Sequence, residues 1–209
     1  MVDERKRETL RSFAAVGAGG SLFGLAEGDR GESEPREAIA GYVDAAPGTH
    51  FSKIRDDLGL ATGETQYHLR RLVDTGDLED DRDGDYRRYF PAGTFSAFER
   101  MALGFLRRQT HREVVLETLA DPGRTGAQLA ADLGVSGATV SAARSRMAEA
   151  GLLEETEYRV RRPPTVLALV LRYADSFDEA TRAFARSAPE LLSYDPDEAD
   201  VTCQVVEEE

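Results

Sequence analysis

Cysteine, lysine and tryptophan are the scarce residues of this 209-residue chain. It holds one cysteine, Cys203, no tryptophan, and two lysines, Lys6 and Lys53, among its 26 basic residues. A single cysteine excludes a disulfide framework and any cysteine-based zinc site, and it fits a reducing compartment. No apolar run reaches the roughly 18 residues that a spanning helix needs, so no membrane association is expected. Catalytic signatures are missing too. His50, His68 and His111 fall on different elements without a carboxylate or cysteine at ligand spacing, and there is no phosphate-binding glycine loop or nucleophile motif. An enzyme activity, a metal and a cofactor are therefore not expected. Cys203 has no basic neighbour to lower its pKa and reads as a bystander.

What the chain does have is acid. Its 39 Asp plus Glu outnumber the basic residues and give a net charge of −13. Eight of these carboxylates, with no base among them, lie between Glu190 and Glu209. On charge alone nucleic acid is a poor partner, since a basic footprint is its usual sign. An apolar content of 41% nevertheless suits a folded chain of one large domain or two small ones.

The chain also has a repeat. Phe51 to Asp80 aligns without a gap on Gly126 to Glu155 at an offset of 75 residues, with identities that include Asp57/Asp132, Gly59/Gly134, Arg71/Arg146, Gly76/Gly151 and Leu78/Leu153. In the first copy, Ser33 is placed to cap a helix carrying Ile39, Tyr42, Val43 and Ala46, which Pro47-Gly48 stops. Thr49 is placed to cap a short helix with Phe51, Ile54 and Leu58, and Gly59 ends it. Thr62 is placed to cap a longer helix whose inner face holds Thr65, Leu69, Leu72 and Val73. After Gly76 come Leu78 to Asp81, an Asp83-Gly84 turn and Tyr86 to Phe90, which together predict a β-hairpin.

Three helices, a tight glycine turn and a hairpin predict a mainly α fold of tandem winged helix-turn-helix domains with short β-hairpin wings. The stretches DLGLATGETQYHLRRLVDTGDL and DLGVSGATVSAARSRMAEAGLL resemble archaeal transcriptional regulators with two winged helix-turn-helix domains, and each copy is similar to ArsR and MarR repressors. The expected layout is a leader over 1–33, a first domain over 34–93, a connecting helix over 94–110, and a second domain over 111–162. A C-terminal helix over 163–189 and an acidic tail over 190–209 complete it. The resemblance implies double-stranded DNA as partner. The arginine bias and acidic surplus resemble halophile proteomes that work in molar salt, and a cytoplasmic location follows.

With Thr65, Leu69 and Leu72 inward, a turn of about 100° per residue points Glu64, Gln66, Tyr67, Arg70 and Arg71 outward, beside Thr62 at the helix start. Glutamine pairs bidentately with adenine, arginine with guanine or phosphate, and a tyrosine hydroxyl with a backbone oxygen. His68 sits nearer the buried side, as a packed histidine or, less simply, a phosphate contact. Arg87 and Arg88 in the wing cannot share a face of a regular strand, so one of them is expected at phosphate, unless the charges only guard an exposed edge. The second copy offers smaller groups, Thr139, Ser141, Ala142, Ser145 and Arg146, with Arg144 at the position of Leu69. Its stunted hairpin carries Arg159, Arg161 and Arg162, suited to phosphate or to salt bridges with the adjacent glutamates.

Past Pro163-Pro164, Val166, Val170, Tyr173, Phe177, Ala180, Phe184 and Ala188 recur at steps of four and three, a heptad seam that predicts a homodimer or packing on the same chain. Phe95, Phe98, Ala102 and Phe105 of the connecting helix, which opens on a Ser96/Glu99 capping box, are placed to help. The leader, with Lys6 to Leu10 and the apolar run Phe13 to Ala26, imitates a twin-arginine export signal, but a DNA-binding body has no work outside the cell. A protein-interaction scaffold, as in segregation and condensation protein B, is the other class that the tandem architecture permits. Nothing identifies a small-molecule effector.

Overall fold

The computed structural model describes residues 30–188. The export-like leader, the acidic tail and Cys203 lie outside the described residues. The chain divides into two compact units, Met1–Ser96 and Ala97–Glu209.

The first unit opens with α1 (Arg30–Ala45), which starts three residues before the expected cap Ser33 and runs through Pro35. Ile39 and Val43 on its inner face are fully buried, each contributing about 1.5–3 kcal/mol. A two-residue strand, β1 (Thr49–His50), leads into α2 (Phe51–Leu58). This strand corrects the expected cap. Thr49 is buried, with its hydroxyl donating to the Ala46 carbonyl at 2.6 Å, and His50 caps α2 by accepting from the Lys53 N–H at 3.4 Å. Gly59 ends α2 in the left-handed conformation (φ 62°). Next comes α3 (Thr62–Asp74). Its cap residue is Ala61 and not Thr62, and the Glu64 carboxylate accepts from the Ala61 N–H at 3.3 Å.

After Gly76 the chain forms β2 (Leu78–Asp83) and β3 (Tyr86–Pro91). Asp83 pairs with Tyr86, so the hairpin loop is Gly84-Asp85, one residue later than the sequence reading, with Gly84 at φ 62°. β1 adds to the other edge of β3 and gives an antiparallel sheet of order β1-β3-β2. The core gathers Ile39, Val43, Ile54, Leu58, Leu69 and Leu72 beneath this sheet's Leu78 and Tyr89.

The second unit begins with α4 (Ala97–Leu106) and α5 (Gln109–Ala120). The expected connecting helix therefore stops at Leu106, and a new helix begins where it was to end. α6 (Gly126–Asp132) and α7 (Gly137–Glu149) follow. The turns of the two units match bond for bond. After α2, Gly59 N–H reaches Asp56 O at 3.2 Å and Leu60 N–H reaches Arg55 O at 3.0 Å; after α6, Gly134 reaches Ala131 at 3.3 Å and Val135 reaches Ala130 at 3.1 Å. These paired bonds form the glycine-terminated motif that satisfies a helix's last carbonyls. The same pair closes α3 at Gly76 and α7 at Gly151. The second hairpin is reduced to one bridge, Leu153 to Val160.

The long C-terminal helix is not continuous. α8 (Pro163–Arg172) ends at Tyr173, a 3-10 turn covers Ala174–Ser176, and α9 (Glu179–Ser187) starts afresh. Asp178 causes the break. It caps α9 by accepting from the Thr181 N–H at 2.9 Å and the Thr181 hydroxyl at 2.7 Å, and it is ion-paired with the buried Arg112. Burial alone raises its pKa, but the bonds from Thr181 and Arg112 prevail and bring it down to about 2. Phe177 lies beneath the Arg107 and Arg112 guanidinium groups, 4.3 and 5.3 Å from its ring centre. The heptad seam is thus broken: Val166, Val170 and Tyr173 are buried inside their own unit, Phe177 and Phe184 are half-buried, and Ala180 is exposed. A side chain already buried in its own unit is not available to a second chain.

Candidate nucleic-acid interface

α3 buries one face and shows the other. Thr65, His68, Leu69 and Leu72 are buried, while Thr62, Gln66, Tyr67, Arg70 and Arg71 are exposed. Glu64 is half-buried and turned back on the helix start, so its carboxylate serves the cap. Tyr67 stays 48% exposed despite its size. Its hydroxyl accepts from Arg71 Nη1 at 3.2 Å. Its ring meets the buried His68 edge to face, with centroids 5.1 Å apart. His68 is therefore the packed histidine of the sequence reading.

The wing separates its two adjacent arginines as strand alternation requires. Arg87 is 64% exposed in its side chain and pairs with Asp80 at 2.5 Å. Arg88 lies on the other face and is 2% exposed, ion-paired with Asp83 and donating to the Gly48 carbonyl at 2.9 Å. Arg88 is therefore withdrawn from the expected DNA contacts. It is a structural tie under β1, a strand that the sequence did not announce.

Arg82, absent from the expected contacts, stands directly across from Arg87 in the hairpin register and is exposed. Centring the hairpin on Gly84-Asp85 is the sequence signal that would have found this pair. Like charges directly opposite are destabilising, and the Asp80 carboxylate offsets the pair by closing on Arg87. Beside it, Tyr86 is 48% exposed and its ring lies 4.9 Å from that of His50. Burial, then the charges of Arg88 and Lys53, hold the His50 pKa below its ordinary value, against the opposing pull of Asp56 and Asp57.

The basic residues of the first unit differ in how they are engaged. Lys53, Arg55, Arg87 and Arg88 each close an ion pair within the first unit. Among the described residues, Arg70, Arg71 and Arg82 have no carboxylate within ion-pair distance. No group of three or more His, Cys, Asp or Glu among the described residues could hold a metal ion.

In the second unit, Val140, Ala143 and Met147 form the inner face of α7, while Thr139, Ser141, Ala142, Ser145 and Arg146 are exposed. Thr139 Oγ1 is shared with Ser136 Oγ at 2.8 Å, in the helix cap. Arg144 donates to the Glu155 carbonyl at 2.7 Å and lies over the Tyr158 ring at 5.6 Å, bracing the short hairpin. Arg159 and Arg161 pair with Glu157 and Glu154, each at 3.6 Å, and Arg162 lies over Phe98 at 4.7 Å. The basic group of the second hairpin is therefore engaged within its own unit.

A glycine-turned helix pair with an exposed third helix and a hairpin is a helix-turn-helix arrangement. Residues 33–103, about a third of the chain, match a family model described as an N-terminal HTH domain. The match marks a helix-turn-helix domain in this stretch of the chain. No curated protein and no solved structure matches the chain. Among the described residues no helix is long and apolar enough to cross a membrane.

Proposed function

We propose that the protein is a cytoplasmic, non-enzymatic transcriptional regulator. In this reading α3 of the first unit enters the major groove of double-stranded DNA and the Arg82/Arg87 wing tip contacts phosphate. One observation carries the reading: in a chain with a net charge of −13, Arg70, Arg71 and Arg82 stand exposed without a carboxylate partner among the described residues. Gln66 reads adenine and Arg70 and Arg71 read guanine or grip phosphate. The second unit is a second winged helix-turn-helix of weaker contact, through Ser141, Ser145 and Arg146. The matched turns support this, as does the gapless repeat. Two such units in one chain supply bivalency without a second chain. Light scattering in molar salt is expected to give the mass of one chain.

Salt favours base contacts over charge. With six phosphates contacted, a twentyfold rise in salt costs roughly seven decades of affinity by linear extrapolation of counterion release. A protein working in molar salt therefore depends on base contacts and shape, and a small basic surface suffices. Genome-wide occupancy by chromatin immunoprecipitation at native salt tests the reading. Discrete peaks that vanish in Arg70→Ala/Arg71→Ala support it. An absence of peaks in the wild type rejects it in favour of a protein-interaction scaffold.

A further inference from the structure

Tyr67 and Arg71 lie one turn apart on the exposed face of α3, and their side chains are joined by the 3.2 Å hydrogen bond from Arg71 Nη1 to the Tyr67 hydroxyl. The Tyr67 ring is itself set against the buried His68, tilted by 73°. A core residue thus braces an exposed ring, and the ring's hydroxyl holds a cation that has no carboxylate partner among the described residues.

We propose that Tyr67 is a positioning residue that aims Arg71 at a guanine edge, so that this pair determines base specificity at one position of the site. The inference rests on the DNA-binding function proposed above. A free arginine loses several rotamers on binding, and fixing it beforehand removes part of that cost. The phenol takes one of the guanidinium's five donors. The remaining donors exceed the two that guanine O6 and N7 require.

The repeat supplies an internal control. Arg146 occupies the position equivalent to Arg71 and is also exposed, but Ala142 stands where Tyr67 would be. Arg146 lacks the phenol and serves as a phosphate cation, without base preference.

The test is selection from a random duplex library by the full-length protein in high salt, using wild type, Tyr67→Phe, Arg71→Ala and Arg146→Ala. Wild type is expected to return a motif with an invariant guanine that disappears in Arg71→Ala. Tyr67→Phe keeps the charge and the ring. It is expected to lower discrimination at that guanine roughly three- to tenfold, while affinity for random duplex, the salt slope and the unfolding temperature stay as in wild type. Arg146→Ala is expected to keep the motif and lower the salt slope by about 0.9.

Wild-type discrimination in Tyr67→Phe overturns the positioning role and leaves the DNA-binding reading standing. A Tyr67→Phe protein that loses random-duplex affinity overturns it too, because the hydroxyl then contacts the DNA backbone itself, and one that melts earlier overturns it because the hydroxyl then serves the fold. A wild type that returns no motif defeats the DNA-binding reading, and the pair with it.

Discussion

α3 and α7 end in the same pair of backbone hydrogen bonds and bury the same turn of the helix, yet they show solvent different chemistry. Gln66, Tyr67, Arg70 and Arg71 on one correspond to Ser141, Ala142, Ser145 and Arg146 on the other. The hairpins diverge in the same sense. The first is six residues a side and carries an arginine pair at its tip; the second is one bridge, held down by Arg144 and Tyr158. The shared backbone frame is thus set by a few buried positions and two left-handed glycines at each copy. In the proposed function, what it reads is set by four exposed positions that the frame leaves free.

The largest expected effect lies in the exposed set. On the duplex selected by the wild type, Arg70→Ala/Arg71→Ala is expected to weaken binding by about thirtyfold to twenty-thousandfold, at about 1–3 kcal/mol for each base contact. Ser145→Ala/Arg146→Ala is expected to cost less than about tenfold. Fluorescence anisotropy at constant salt measures both, and equal losses would erase the distinction between the units.

The next effect separates the two neighbouring wing arginines. Arg88→Leu leaves the Gly48 carbonyl and Asp83 without their donor, and is expected to destabilise the first unit by about 2–4 kcal/mol in urea titration. Arg87→Ala is expected to change stability by no more than about 0.5 kcal/mol, and to lower the salt slope of DNA binding by about 0.9.

A third substitution probes the second hairpin. A Cβ at Gly126 would meet the Tyr158 hydroxyl at 2.5 Å. Gly126→Ala is therefore expected to cost about 1–3 kcal/mol by calorimetry, partly recovered by Tyr158→Phe. Its equivalent in the first unit is Phe51.

The smallest effect is one of pH. The pKa of His50 is lowered in the fold, so the unfolded chain binds more protons between the folded and unfolded values. Stability from this group is full above its ordinary value near 6.5 and is lost as pH falls through the folded value. His50→Asn keeps a capping acceptor and is expected to flatten the dependence of urea midpoint on pH below 7. An unchanged profile would show that His50 does not carry it.

Much of the frame was legible from sequence because glycine and apolar spacing fix it locally. Gly59, Gly76, Gly134 and Gly151 marked the helix ends, and the inner faces of α3 and α7 followed from helical periodicity. What escaped depends on partners distant in the chain. β1 is two residues long, too short for any alternation to show, and it hides Arg88. The heptad spacing past Pro164 was real, but Asp178 and Thr181 hold a capping pattern within it, and Arg112 comes from a helix 66 residues earlier. For the site, sequence placed Gln66, Tyr67, Arg70 and Arg71 on the exposed face. It could not tell Arg87 from Arg88, because only the edge occupied by β1 distinguishes them.

Site-specific photo-cross-linking from equivalent positions of the two helices tests the central claim most directly. A photoreactive residue at position 66 or 141 of the full-length protein, irradiated on the selected duplex at native salt, reports which helix lies against the bases. The account predicts cross-links from position 66 to bases at one defined place in the site, and none to bases from position 141. Base cross-links from position 141 alone, or from neither position, would contradict it.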